Sequence, residues 1–283
     1  MFGFINIYKP KGMTSHDVVA ILRRITKIKQ IGHTGTLDPF AEGVLPVCIG
    51  KSTRLIEYLQ DDKAYIGTVQ LGQSTSTYDI DGEVLKESQK RVTRAEIEIA
   101  LNQFRGEIQQ IPPIYSAIKV AGKKLYEYAR NGESVEIKPR SVVINKLEIV
   151  DFNEDNQSLE LLIECSKGTY IRSIANDIGE SLACYGHLTK LVRIKAGDFL
   201  LENSHPLALL ETKDDVEKNL IYPLEYLKYP SYELSEQEYI DVSHGKALSL
   251  DCKNGVVILT KNLKLVAVAI VNNCVAKMNK VFI

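Results

Sequence analysis

The chain has no long apolar run. Nothing in its 283 residues approaches the roughly 18 consecutive apolar residues that a membrane helix needs. The opening MFGFINIYKPKG has no basic region followed by an apolar stretch, so a secretory leader is not expected. Cysteine is sparse. Cys48, Cys165, Cys184, Cys252 and Cys274 are odd in number and no two make a C-x-x-C pair, which argues against a disulfide framework or a zinc site. The histidines, His16, His33, His187, His205 and His244, do not pair with carboxylates or cysteines at ligand spacing, so no metal is expected. The patterns G-x-x-x-x-G-K-[ST], G-x-G-x-x-G and G-x-S-x-G are missing too. Nucleotide-triphosphate, dinucleotide and serine-hydrolase chemistry therefore have no support. There is no internal repeat and no low-complexity segment. These absences predict a soluble, cytoplasmic protein that works without a cofactor.

Charge of either sign is nearly balanced, with a formal net charge of −1. That total does not advertise a nucleic-acid binder, since phosphate binding needs positive charge. The distribution is uneven, however. Residues 1–60 carry eight Lys/Arg against four Asp/Glu, residues 115–146 seven against three, and residues 199–240 three against nine. A basic front half with an acidic connector leaves room for a basic face on a neutral protein, although charge alone favours plain solvated surfaces. Hydrophobic residues make up 45% and charged residues 25%. This is ordinary globular composition, and the length suits one main domain plus a small one.

The local patterns predict an α+β protein. FGFINIYK at 2–9 reads as a strand, followed by a helix from Ser15, as cap, through about Thr26. After the glycine-rich loop 32–43 come a short buried strand (VLPVCIG), a helix over Thr53–Gln60, and an alternating strand at 63–72. Thr93-x-x-Glu96 is a capping box opening a helix that ends before Gly106. Pro112-Pro113 breaks regular structure, and Lys123–Asn131 is a short basic helix stopped by Gly132. Strands follow near 141–153 and 158–166, then a helix over Gly168–Cys184 and a strand in AGDFLL. From Ser231 the texture changes: Ser235-x-x-Glu238 caps a short helix, and short strands separated by turn signals follow. Strands and helices do not alternate regularly. The expectation is a mostly antiparallel mixed sheet flanked by helices over residues 1–230, with a small β-rich domain over 231–283.

The densest cluster of special residues is Gly32-His33-Thr34-Gly35-Thr36-Leu37-Asp38-Pro39. Two glycines permit tight geometry, and Pro39 biases Asp38 away from helix. An aspartate on a rigid loop is well placed as nucleophile or base. Local physics alone nonetheless favours an ordinary turn with Asp38 as a cap.

Five segments carry a resemblance: YKPKGMTSHDVV (8–19), GHTGTLDPFAEGVLPVCIG (32–50), KAYIGTVQLGQSTSTYDIDGE (63–83), IPPIYSAIKVAGKKLYEYAR (111–130) and CSKGTYIRSIANDIG (165–179). In order and spacing they resemble the TruB-type tRNA pseudouridine synthases of bacteria. The resemblance implies conversion of uridine to pseudouridine in the T-loop of tRNA, at position 55. Base flipping, glycosidic cleavage assisted by Asp38, rotation of the uracil and C5–C1′ bond formation would be the steps. It implies that Asp38 is the catalytic aspartate, that Tyr65 stacks on the target base and that Arg172 pairs with the aspartate. It also implies that His33 enters the RNA loop, that Lys9 and Tyr170 are further active-site positions, and that Leu191, in KLVRI, lines the apolar pocket. KVAGKKLYEYARNG resembles a thumb-like insertion, near 115–142, that clamps the T-arm, with Lys119, Lys123, Lys124 and Arg130 meeting phosphates. HGKALSL and KLVAVAIV in the tail resemble a short PUA-type RNA-binding domain.

Each implied role has a plain alternative. Tyr65 on its own reads as a packed strand tyrosine, Arg172 as a surface ion pair, and the 119–130 run as a solvated helix. A flipped uridine nonetheless needs an aromatic face, and a planar guanidinium suits the orienting of a carboxylate. The partner expected is tRNA, with no membrane, no metal and no obligatory protein. Two other readings remain open: a tRNA-folding protein without turnover, and a guide-RNA-dependent catalytic subunit.

Overall fold

The computed structural model describes residues 1–283. In chain order the elements are β1 (Gly3–Lys9), α1 (Ser15–Thr26), β2 (Ile31–His33), β3 (Glu42–Ile49), β4 (Lys63–Leu71), β5 (Gln73–Thr75), β6 (Val84–Glu87) and α2 (Arg94–Leu101). They continue with β7 (Gly106–Gln110), β8 (Lys119–Val120), β9 (Lys123–Lys124), α3 (Leu125–Arg130), β10 (Arg140–Asn153), β11 (Ser158–Cys165), α4 (Ile171–Ser181) and β12 (Gly186–Ala196). The last are β13 (Phe199–Leu200), β14 (His205–Pro206), α5 (Lys213–Lys218), β15 (Ser231–Glu233), α6 (Glu236–Ser243), β16 (Leu248–Ser249), β17 (Gly255–Lys261), β18 (Lys264–Asn272) and β19 (Val275–Val281).

The main sheet runs β14-β1-β3-β12-β4-β11-β10-β7, with β2 added to β3 and β13 to β12. Its pairings are antiparallel except β1 with β14 and β3 with β12. The fold is thus α+β with a mixed, largely antiparallel sheet, as the sequence predicts. One apolar cluster packs α2 and α4 against β4, β10, β11 and β12, and a second packs α1 against β1, β2 and β3. No helix is long and apolar enough to cross a membrane.

Several local expectations shift. Thr14, not Ser15, caps α1, in a capping box with Asp17. The Ser15 hydroxyl is used elsewhere: it accepts from the Leu37 N–H at 2.8 Å and donates to the Leu37 carbonyl at 3.1 Å, which pins the loop before Asp38 to α1. The helix expected over 53–60 is a 3₁₀ helix over Gly50–Tyr58. Lys123–Lys124 pairs as a strand, leaving α3 only six residues. The strand expected in AGDFLL shrinks to Phe199–Leu200, and Gly168–Tyr170 lies ahead of α4 as loop. The central strand β12 has no counterpart among the sequence expectations. Its Lys190, Arg193 and Lys195 break the apolar pattern, because Arg193 points its charge inward and is 1% exposed.

The backbone at this arginine sets how closely β3 approaches β12. Arg193 sits opposite Gly43 in the parallel pairing. Gly43 has φ +105°, and a Cβ there would fall 2.3 Å from the Arg193 carbonyl oxygen, so only glycine fits.

A second sheet, β15-β17-β18-β19-β16, uses residues 231–281 and has its own apolar core. It also shares a cluster with the main sheet, in which Ile258, Leu265 and Val268 meet Phe4, Leu55, Tyr58 and Phe199. Polar contacts converge on the 3₁₀ helix: Lys51 Nζ donates to the Ile283 carbonyl (2.7 Å), Arg54 to that of Val281 (3.0 Å), and Lys280 pairs with Glu57 (3.1 Å).

Gly43→Ala should lower stability by about 2 kcal/mol more than Gly132→Ala. Gly132 also has positive φ, but a methyl added there would meet nothing within 4 Å. Urea midpoints of the two variants check this.

Candidate active site

A cleft of about 790 Å³ opens over the middle of the main sheet. Its size suits a small ligand or a single nucleotide. The loop Thr34–Pro39, Tyr65 of β4, Tyr115–Ala117, Tyr126 of α3, Ser166–Arg172, and Leu191 and Arg193 of β12 form its walls. Widely separated stretches of chain therefore meet in it, and Asp38, Tyr65, Tyr170, Arg172 and Leu191 lie together there.

The register of β4 and β12 sets the floor. Tyr65 pairs with Arg193 and Gly67 with Leu191, and both pairs project to the same face. Gly67 carries no side chain, and Leu188, Leu191 and Ile171 close in on the space above it. Register shifts at Leu188/Lys190 and Arg193/Lys195 flank this segment of β12. Bulges of this kind re-aim side chains beside active sites.

Arg172, at the start of α4, ties the cleft together. Its Nη2 donates to Asp38 Oδ1 at 3.2 Å, and its Nε lies 2.9 Å from Oδ2. Nη1 is 3.3 Å from Asp79 Oδ2 and also reaches the Thr77 carbonyl, while Nη2 reaches the Tyr115 carbonyl at 3.0 Å. The Arg172 side chain is 6% exposed and that of Asp38 34%, so the carboxylate is held from behind and presented to the cleft. The start of α4 is itself fixed. Gln110 accepts from the Tyr170 N–H at 2.8 Å and donates to the Tyr170 carbonyl at 3.0 Å.

Asp79 was not legible in the sequence as a site residue, because an aspartate beside a turn is commonplace. It is buried, and burial pushes its carboxyl pKa up, against the Thr77 hydroxyl and the Arg172 guanidinium, which pull it down. Arg193 was missed for a similar reason. Its guanidinium donates to the carbonyls of Val44 (2.7 Å), Gly35 (3.0 Å) and Thr36 (3.3 Å), and so braces the loop that carries Asp38. The one signal in the sequence was a charged residue in register with apolar neighbours in KLVRI.

Other expected residues lie elsewhere. Lys9 does not reach the cleft. It is 0% exposed, and its ammonium donates to the carbonyls of Met13 (2.5 Å), Pro10 (2.9 Å) and Pro39 (3.4 Å). Its place is beneath the Asp38 loop. His33, in β2, is half-buried and outside the cleft wall, and burial lowers its pKa. Burial pushes the Tyr65 phenol up. On the 115–142 insertion, Lys119 is exposed, Lys123 pairs with Glu133 at 2.7 Å, and Lys124 and Arg130 lie over the Tyr126 ring, each at 5.3 Å. No group of three or more His, Cys, Asp or Glu side chains is arranged to hold a metal ion.

Residues 23–171 match the family described as TruB family pseudouridylate synthase (N terminal domain). A tRNA pseudouridine synthase B of Prochlorococcus marinus is 42% identical, over 99% of this chain and 90% of its own length. The enzyme of the same name from Carboxydothermus hydrogenoformans is 41% identical, over 100% and 99%. The chain belongs to the TruB family of pseudouridylate synthases. Among solved structures, a Cbf5-Nop10-Gar1 complex contains a chain with TM-score 0.74 and 26% identity, covering 100% of this chain and 85% of that one. An H/ACA RNP bound to a substrate RNA containing 2′-deoxyuridine gives the same TM-score at 24% identity, which bears on the fold alone. The TruB match spans the Asp38 loop, Tyr65, Asp79 and the insertion.

Burial pulls the Lys9 ammonium down to about 8, with Asp38 opposing and Arg193 adding to the shift. Between that value and the ordinary 10.5 the unfolded chain binds more protons at this position than the folded one, so this contribution to stability rises with pH. The stability of wild type relative to Lys9→Met should therefore increase from pH 8 to pH 10. Urea midpoints of both proteins at the two pH values measure it.

Proposed function

We propose that this enzyme converts uridine to pseudouridine at position 55 in the T-loop of tRNA, with Asp38 acting on the glycosidic bond. The observation that carries the reading is the ion pair of Arg172 with Asp38, with one hydrogen bond from Nη2, in a cleft that also holds Tyr65. The family membership, and the tRNA pseudouridine synthase B names of relatives matched over nearly the whole chain, support tRNA as the substrate.

A uridine inside a folded loop must first leave its stack, at a cost of a few kcal/mol. Stacking on an aromatic face returns about 1–3 kcal/mol, and the Tyr65 ring in the cleft wall supplies such a face. Leu191 and Gly67 leave an apolar floor for the base. Asp38 then assists cleavage of the C1′–N1 bond. Positive character develops at C1′, which a carboxylate a few ångströms away stabilises, as in glycosidases. The freed uracil rotates within the cleft, C5 bonds to C1′, and the C5 proton leaves. Exclusion of water while the bond is open favours this isomerisation over hydrolysis.

In this reading Tyr170 packs at the cleft edge, His33 lies on the loop-facing side for contact with the RNA, and Lys9 acts indirectly by holding the Asp38 loop. Lys119, Lys123, Lys124 and Arg130 on the 115–142 insertion meet phosphates of the T-arm. We assign residues 1–230 to the catalytic domain and 231–283 to a short PUA-like domain that adds RNA contact.

The test is tritium release from C5-labelled uridine in an unmodified tRNA transcript, with wild type and Asp38→Asn side by side. Wild type alone should release tritium, and Asp38→Asn should fall by about 10³-fold or more while still binding the transcript. Binding without release by either protein would leave a folding factor or a partner-dependent subunit instead.

A further inference from the structure

Two cations in the cleft wall, Lys63 and Arg193, have no carboxylate. They are 8% and 1% exposed, and both line the cavity that holds Asp38. They lie close to each other: a Cβ built on Gly35 would sit 3.6 Å from Lys63 Cε and 3.7 Å from Arg193 Nη1. The Arg193 donors go to backbone carbonyls. Lys63 Nζ has one protein partner, the Asp61 carbonyl at 3.0 Å, which leaves two of its three donors unused. The carboxylates on that side are engaged elsewhere, Asp61 by Lys167 at 2.6 Å and Asp62 by Lys195 at 2.8 Å. Asp38 is held by Arg172. Within the 4.0 Å limit of an ion pair, neither Lys63 nor Arg193 meets an acid.

A buried cation without a counter-ion costs stability, and two side by side cost more. A fold that keeps such a pair in its reaction cleft is completed by an anion. Register says where the anion lies. Lys63 and Tyr65 alternate on β4 and so project to one face about 6.6 Å apart. If Tyr65 carries the flipped base, Lys63 is displaced from it along the strand toward the rim at Asp61 and Lys167, within the reach from a base to its own phosphate.

We propose that Lys63 binds a phosphate of the flipped nucleotide, with Arg193 behind it supplying a second positive charge. The proposal rests on the pseudouridine synthase reading and adds a backbone anchor to it, in the cleft itself rather than on the insertion. Burial, followed by the neighbouring Arg193, pulls the Lys63 ammonium down to about 8. A phosphate at hydrogen-bonding distance acts in the opposite direction, restoring the full charge as substrate enters.

The experiment compares wild type with Lys63→Met, which keeps the length and loses the charge, and with Lys63→Gln as a second variant. Each is read with unmodified tRNA transcript for KM, kcat, the dependence of Kd on salt, and Tm. In both variants KM should rise about tenfold with kcat within about twofold, and the slope of log K against log[salt] should shrink by about 0.7–0.9, the share of one phosphate contact. Tm should hold or rise, because an unpaired buried charge has gone. An unchanged salt slope overturns the proposal in either form: with a fall in kcat the lysine would be touching the base, and with a fall in Tm it would be a structural residue. The slope comes from binding alone, so a wild type that binds tRNA without releasing tritium would refute the proposed function and leave this measurement intact.

Discussion

The Arg172 guanidinium is 6% exposed and sits between two carboxylates, one facing the cleft and one buried behind it. A cation so buried needs close counter-charges, since its desolvation is not recovered by a single distant partner. Asp38 and Asp79 supply them, and the carbonyls of Thr77 and Tyr115 take further donors. The fork thereby fixes three segments at once: the Asp38 loop, the turn at Thr77–Asp79, and the base of the insertion that begins near Tyr115. Asp38 keeps part of its surface open to the cleft while its orientation is set from behind. A lone carboxylate on a glycine-bearing loop would have no such orientation.

The sheet around this clamp removes the freedom of the same loop from below. Arg193 braces Gly35 and Thr36 from β12, Lys9 holds Pro39 from β1, and Ser15 pins Leu37 from α1. Each contact crosses from a regular element to the loop, and each uses a polar side chain buried by the packing of its own strand or helix. Gly43 permits the backbones of β3 and β12 to approach closely at Arg193. The second sheet joins the same frame at one edge. It grips the 3₁₀ helix Gly50–Tyr58, and Ile56, Glu57 and Leu59 at the end of that segment line the cleft.

Short-range features were legible in the sequence. The strand at 63–72, the capping boxes at Thr93/Glu96 and Ser235/Glu238, and the change of texture at Ser231 rest on spacing or on side chains near their partners in sequence. The Asp38 loop stood out through its density of glycine, proline and aspartate. What was not legible depended on long-range pairing. Strand β12 reads as polar until its place between β3 and β4 is known, and only there does an inward arginine make sense. Lys9 stood in the sequence as a further active-site position by resemblance. Its burial comes from carbonyls that the turn at Pro10–Met13 and the distant Pro39 bring round it. Asp79 acquires a role only when α4 folds back across more than ninety residues to meet it.

The central claim is that the geometry of the Arg172 fork, rather than its charge, holds Asp38 ready to react. Arg172→Lys keeps the charge and removes the fork, and the decisive measurement is its kcat alongside its Kd for unmodified tRNA. The account predicts a fall in kcat of about 10²-fold or more, as expected for a misplaced reacting group, with Kd close to that of wild type. A kcat near the wild-type value would contradict it.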